Sequence, residues 1–278
     1  MAGVIRLFIL LSISSVLMSS SCRHYALELK APNNEAKLKI AEEYYKKKDA
    51  AHALGLFEQL AGYYTGQAEQ EKLQYYIAYC NYDLGNLDLA SYLFKTYAET
   101  YPNSKNTEEF YYLYAYCHYL SSQGPGLDQH HTKKAIDELQ LYINMYPNST
   151  RIAESNGLID QLRGTLITKA YRTAKLYYQI EDYKASIVAL RNVVKDYPDI
   201  EQREEVEFLI VKSHFLLAKN SAEQVVKDGV LQNLKLDRFK ATIDVCTMFN
   251  EAFGNSIYKP DIETIRKKAT TEIEKLKT

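Results

Sequence analysis

The stretch from Glu71 to Ser104, EKLQYYIAYCNYDLGNLDLASYLFKTYAETYPNS, decides the fold. It fits the tetratricopeptide (TPR) pattern of about 34 residues, two antiparallel helices joined by a tight turn. Ile77 and Ala78 fall in the first helix, Gly85 at the turn, Ala90 and Phe94 in the second helix, and Pro102 at the close. Small residues are needed where two helices cross closely, and a large apolar residue fills the gap between them. The ring of Pro102 pushes Tyr101 out of the helical region, so the unit ends hard.

The same phase recurs on both sides. Ala53-x3-Phe57-x6-Tyr64, Ala90-x3-Phe94-x6-Tyr101 and Ala135-x3-Leu139-x6-Tyr146 superpose, and the pattern continues more weakly as Ser186-x3-Leu190-x6-Tyr197 and Thr242-x3-Cys246-x6-Phe253. The first unit, 34 to 67, carries Ile40, Ala41, Tyr44, Ala53 and Phe57 at matching places, and the fourth carries Ala174, Tyr177, Leu190 and Pro198. The third has Ala115 and accommodates an extra loop between Ser121 and His131. The predicted fold is all-α, a right-handed superhelical solenoid of about five TPR repeats plus a C-terminal helix. A long helix is expected to begin near Arg151 and link two lobes. Pro260 followed by Ile262, Ile265, Ala269 and Ile273 at helical spacing predicts a capping helix. Composition agrees, since 11 Gly and 6 Pro in 278 residues are too few for an all-β chain with frequent turns.

The front of the chain is an address. Met1 to Arg6 holds one positive charge, and Leu7 to Met18 is a run of apolar and small residues far too short to cross a bilayer. Ser19-Ser20-Ser21-Cys22 resembles the lipobox of bacterial lipoproteins, with Ser19 departing from the usual Leu. The expected organisation is a lipoprotein signal peptide at 1–21, a lipidated N-terminal linker at 22–34 with lipid on Cys22, an N-terminal TPR lobe at 35–147 (repeats one to three), and a C-terminal lobe at 148–278. A soluble secreted protein cut near the same place is the alternative. Cys80, Cys117 and Cys246 remain, an odd number at spacings that match no metal or redox motif. Cys80 and Cys117 share the contexts AYCNY and AYCHY, so they are either buried free thiols or a neighbouring pair.

A formal net charge of -1 gives no basic field for phosphates, which argues against nucleic acid. There is no Gly-rich phosphate loop, no G-x-S-x-G, no H-E-x-x-H and no C-x-x-C, so no catalytic residue, metal or cofactor is expected and the chain reads as a non-enzyme. His130-His131 lies in the polar third-repeat loop, where a solvated pair is favoured over a metal site.

In TPR arrays the first helix of each repeat lines the concave face at helical spacing. Those positions are Glu35, Leu38, Glu42 and Tyr45, then Lys72, Tyr75, Tyr79 and Tyr82, then Glu109, Tyr112, Tyr116 and Tyr119, then Thr168, Tyr171, Lys175 and Tyr178. The expected peptide-binding groove is Tyr45, Lys72, Tyr75, Tyr79, Tyr82, Tyr112, Tyr116 and Tyr119, with about half of the rings exposed. A tyrosine presents a flat apolar face and a hydroxyl at low entropy cost, which suits an extended peptide with alternating aromatic residues. With 25 Tyr and no Trp, other tyrosines must fill the core.

The run Ala174-Lys-Leu-Tyr177-Tyr178-x4-Asp182-Tyr183-x-Ala185-x9-Lys195-Asp196-Tyr197-Pro198-Asp199, with Tyr146-Pro147-Asn148-Ser149 upstream and the lipobox cysteine at the front, resembles the BamD family. The segment from Leu127 to Gln140 resembles the Bacteroidetes branch of that family. The resemblance implies a non-enzymatic lipoprotein on the periplasmic face of the outer membrane, within the β-barrel assembly machinery. It implies that a C-terminal part contacts the periplasmic POTRA domains of the barrel-forming, BamA-type subunit, while an N-terminal part receives unfolded outer-membrane proteins. A glycan-binding TPR lipoprotein serving a sugar importer and a TPR scaffold of cell-wall synthesis or division are the competing readings.

Overall fold

The computed structural model describes residues 33–222, 225–227, 230–232 and 234–277. Signal peptide and Cys22, expected from the sequence, lie outside these residues. The helices are α1 (Asn34–Lys46), α2 (Ala50–Ala61), α3 (Glu69–Asp83), α4 (Leu87–Thr100), α5 (Thr107–Ser121), α6 (His130–Met145), α7 (Ile152–Gln179), α8 (Tyr183–Asp196), α9 (Arg203–Lys219), α10 (Leu234–Ala252) and α11 (Lys259–Lys277). Taken in successive pairs, the first ten make five TPR hairpins, and α11 follows as the extra C-terminal helix. A short hairpin, β1 (Val225–Lys227) against β2 (Val230–Gln232), lies between α9 and α10. In the sequence, Asp-Gly at 228–229 between the two strands is a hairpin signal that helical periodicity does not register.

The tight turns are built alike. Lys48, Gly85 and Glu181 occupy the same repeat position, and all three have left-handed backbone, with φ of 63°, 78° and 66°. In the first two turns the residue after the helix closes on it from both sides: Lys48 N donates to Tyr45 O and Asp49 N to Tyr44 O, as Gly85 N does to Tyr82 O and Asn86 N to Asn81 O. Asp49 and Asp182 then cap the following helices, accepting from His52 N and Ala185 N. Only the second repeat uses glycine where the conformation asks for it.

A second repeated device closes repeats two and three. Tyr97 donates its hydroxyl to Glu71 Oε1 at 2.7 Å, Ser104 Oγ donates to the same oxygen at 2.6 Å, and Asn106 Nδ2 donates to the Tyr97 hydroxyl. Tyr142, Glu108 and Ser149 repeat this in the third unit, at 3.2 Å to the carboxylate and 2.7 Å to the serine. In the fourth unit Val193 and Ile200 stand at the tyrosine and serine positions, both buried, so an apolar pair replaces the polar clasp.

Hydrogen bonds from Ser104 and then Tyr97 hold the Glu71 carboxyl below the usual carboxylate range. A group whose folded value is depressed stabilises fully above its unfolded value, about 4.3 for Glu, and loses that contribution as pH falls through the folded value. Glu71→Gln should therefore lower stability at pH 7 by about 1–2 kcal/mol, and the gap to the parent should close below about pH 4. Urea unfolding across that pH range checks it, and a gap that stays constant with pH would refute the clasp.

The chain divides into two compact units. One comprises residues up to Gln123 together with Asp128–Leu162, the other Gly124–Leu127 together with Arg163 onward. The boundary falls inside α7 rather than at 147/148, because Leu158, Ile159 and Leu162 bury against the core that Phe94, Phe110, Leu139 and Tyr142 form. The insertion splits as well: Leu127 belongs with the second unit, where its carbonyl accepts from Lys169 Nζ.

Cys80, Cys117 and Cys246 are free and buried, and burial pushes each thiol up to about 12. Unpaired thiols with so little thiolate are unreactive near neutrality.

Candidate peptide-binding site

Three first helices of the first unit, α1, α3 and α5, supply the tyrosines. The hydrophobic stripe that packs α3 against α2 and α4 holds Leu73, Ala78 and Cys80. That phase turns Tyr75, Tyr79 and Tyr82 to its flank, where they pack partly buried against the core cluster. Ring contacts run on from there. Tyr45 meets Tyr76 at 4.9 Å, Tyr76 meets Tyr75 at 5.4 Å, and Tyr75 meets Tyr79 at 4.7 Å. On α5, Tyr112, Tyr116 and Tyr119 stack in succession at 5.5 Å each. Tyr119 donates its hydroxyl to Gln161 Oε1 of α7 at 2.9 Å.

Of the eight residues expected in the groove, Tyr45, Tyr75, Tyr79, Tyr82, Tyr116 and Tyr119 are half-buried and Lys72 is exposed. Tyr112 differs. It is 2% exposed, lies 5.6 Å from Tyr142, and is covered by the Arg151 guanidinium 4.3 Å from its ring. It is a packing residue and offers no face to a ligand. The helical phase places it correctly on the helix, but only the tertiary fold brings Arg151 down on top of it. Tyr79 is also less free than its register suggests, since its ring contacts Phe94 at 5.4 Å and Phe110 at 5.6 Å. None of the seven tyrosines expected in the groove is fully exposed, so the strip presents only part of each ring.

Charge accompanies the rings. Lys72 pairs with Glu42 at 2.5 Å, and Arg151 reaches Glu154 at 3.5 Å and Glu109 at 3.9 Å. Burial, then the Glu109 carboxylate, pushes the Tyr79 phenol above its ordinary value, and burial with Tyr75 and Asp83 nearby does the same for Tyr45. These hydroxyls stay protonated and act as donors. Tyr76 and Arg151 were missed in the sequence reading: Tyr76 sits one position off the concave register and stacks on Phe57 at 4.8 Å, and Arg151 comes from the turn before α7, far along the chain. Beside the strip, Glu35, Leu38, Glu42 and Lys72 line a cleft of about 700 Å³ with Tyr63 and Tyr64.

The fourth repeat carries a polar counterpart in the second unit. Lys175 Nζ donates to the Tyr171 hydroxyl at 3.2 Å and to Glu205 Oε1 at 3.0 Å. Tyr178 leans on Tyr183 at 5.9 Å, and Lys212 sits 5.4 Å from its ring.

His130 and His131 start α6 instead of floating in the loop. His131 Nδ1 lies 3.4 Å from Nδ1 of His118, whose Nε2 is 3.2 Å from Ser91 Oγ. Burial, then His131, pushes the His118 imidazole below its usual value. Among the described residues no group of His, Cys, Asp and Glu is placed to hold a metal ion, and no helix is long and apolar enough to cross a membrane.

Hairpins with small residues at their crossings, a proline or polar clasp at their close, and an aromatic strip along their first helices define a TPR protein built for protein–protein contact. The family model described as outer membrane lipoprotein matches residues 31–228, and the chain belongs to that family, YfiO, which is the BamD family. No curated protein matches it. Solved structures that are similar include the TPR2AB domain of yeast Sti1 in a complex with pHSP90, at 10% identity and a TM-score of 0.38, covering 85% of this chain and 98% of that one. Another is a kinesin light chain of Podosopora anserina with nearly identical TPR-like repeats, at 11% identity and a TM-score of 0.32, covering 78% of this chain and 96% of that one.

Proposed function

We propose that this protein is the TPR lipoprotein subunit of an outer-membrane β-barrel assembly complex of the Bacteroidetes type, anchored by lipid on Cys22 and facing the periplasm. Its first unit receives unfolded barrel strands along the tyrosine strip. Its second unit docks the POTRA domains of the barrel-forming subunit. The chain is not an enzyme. The observation that carries this reading is two rows of half-buried tyrosine rings, Tyr45, Tyr76, Tyr75 and Tyr79 across α1 and α3 and Tyr116 with Tyr119 on α5, in a chain of an outer membrane lipoprotein family. A barrel strand arrives extended, with aromatic side chains alternating along it and backbone groups unsatisfied. Ring edges and phenol donors answer both needs.

Tyr116 and Tyr119 make the sharper test, because Tyr79 also packs in the core. Each ring that stacks on a ligand is worth roughly 0.5–1.5 kcal/mol beyond area burial. Tyr116→Ala with Tyr119→Ala should therefore weaken binding of a fluorescent C-terminal barrel peptide by about 1–3 kcal/mol, roughly five- to two-hundred-fold. Circular dichroism of the same variant should keep the parent helicity. Equal affinity in parent and variant would sink the strip as the peptide site. Co-purification in mild detergent should bring down a POTRA-containing barrel protein; a sugar importer or wall enzymes in its place would contradict the assembly role.

Cys22→Ala should move the protein from the membrane to the soluble fraction, since two or three acyl chains provide the stable anchoring that a single chain lacks. Membrane association of the variant that persists in high salt would refute the anchor.

A further inference from the structure

The second unit carries an open apolar slot that its counterpart in the first unit lacks. Arg191, Val194 and Lys195 of α8, Ile210 of α9, and Val245 and Met248 of α10 line a groove of about 390 Å³, a size typical of specific binding pockets. The repeat phase that carries Ala90 onto Ser186 and Ala135 onto Thr242 also carries Lys95, Tyr114 and Glu138 onto Arg191, Ile210 and Val245. In the first unit those three residues plug the equivalent place. Tyr114 donates its hydroxyl to Glu138 at 2.9 Å, and Lys95 sits 5.2 Å from the Tyr114 ring. Exchanging tyrosine for isoleucine and glutamate for valine removes the plug and leaves apolar walls. Met248 at the mouth is 64% exposed, a cost that an isolated chain gains nothing from.

The rim is cationic. Lys195 has no ion-pair partner among the described residues, and Arg191 spends a donor on neutral His214 Nε2 at 3.2 Å. Burial, then Arg191, pushes that imidazole down to about 4, so it accepts without adding charge at neutral pH. The single carboxylate in the wall, Glu207, is pushed up by burial and offset by Arg203 and Arg191.

We propose that this slot is a socket for an acidic segment of a partner protein, whose large apolar side chains enter between α8 and α10 while its carboxylates meet Arg191 and Lys195. It rests on the second unit being a docking lobe for another protein, and not on which protein that is. A short fluorescent peptide with Phe-Leu flanked by Glu, and its twin with Lys for Glu, titrated against the whole chain by anisotropy, tests it. The acidic peptide should bind about tenfold or more tighter than the basic one, and salt should narrow the difference. Ile210→Tyr with Val245→Glu rebuilds the plug that the first unit already tolerates and should weaken the acidic peptide about tenfold or more. Lys195→Glu, which leaves the contact of Arg191 with His214 in place, should narrow the preference, and Arg191→Glu with Lys195→Glu should reverse it, with circular dichroism matching the parent. Indifference to peptide charge, or a charge-reversed variant that still prefers the acidic peptide, would overturn the socket. Loss of peptide by the plugged variant with POTRA capture unchanged would support the socket and move POTRA docking elsewhere.

Discussion

Phe110→Ala should lower the stability of the first unit by about 3–5 kcal/mol, the range for emptying a fully buried aromatic site. Phe110 is 0% exposed, and its ring lies 4.0 Å from Tyr97, 5.0 Å from Phe94, 5.5 Å from Tyr75 and 5.6 Å from Tyr79. It is the residue on which α3, α4 and α5 converge, joining the second repeat to the third. A solenoid is held by nearest-neighbour interfaces, so a cavity there weakens both repeats at once. The strip should loosen with it, because Tyr75 and Tyr79 rest on this ring. Urea unfolding of the chain lacking residues 1–22 measures the loss. A loss under about 1 kcal/mol would mean that the neighbouring rings collapse into the space and that the interface is not the one described.

Removing α11, residues 259 to 277, should unfold more than the helix itself. Its buried face is Ile262, Ala269 and Ile273. Ile262 packs in the cluster of Phe208, Val211, Cys246 and Phe249, while Ala269 and Ile273 pack with Ala218 and Phe239. Uncovering the two isoleucines alone forfeits about 1.5–3 kcal/mol each, before the newly exposed faces of α9 and α10 are counted. Circular dichroism should therefore show loss of helix from α9 and α10 as well, with new protease cleavage confined to the last repeat. Helicity lower by the deleted residues alone, with an unchanged melting temperature, would show that α11 is an appendage.

Much of this protein is written in local pattern. Ala41, Ala53, Ala78, Ala90, Ala115, Ala135 and Ala174 are almost completely buried, and each stands where the repeat register puts a close helix crossing. Tyr-Pro pairs and one turn glycine are enough to mark hairpin ends, because proline and glycine act through backbone sterics that need no partner. The non-glycine turns at Lys48 and Glu181 could be placed only by alignment with Gly85, since neither side chain favours a left-handed backbone.

The candidate site was legible to the extent that periodicity decides which face of a helix a residue occupies. That arithmetic put Tyr75, Tyr79, Tyr116 and Tyr119 on one flank. It could not separate Tyr112, on the same flank, from its neighbours, because Arg151 covers it from the turn before α7, nearly forty residues further along the chain. Nor could it show the Tyr97–Glu71–Ser104 clasp, the meeting of His118 with His131, or the lobe boundary within α7. The sequence by itself determined the class of fold, the repeat register and the flank on which the tyrosines stand, since each follows from backbone geometry and hydrophobic period. Which tyrosines keep an accessible edge, and which slot between helices is plugged or open, was decided only by tertiary packing, where volumes and charges from distant repeats meet.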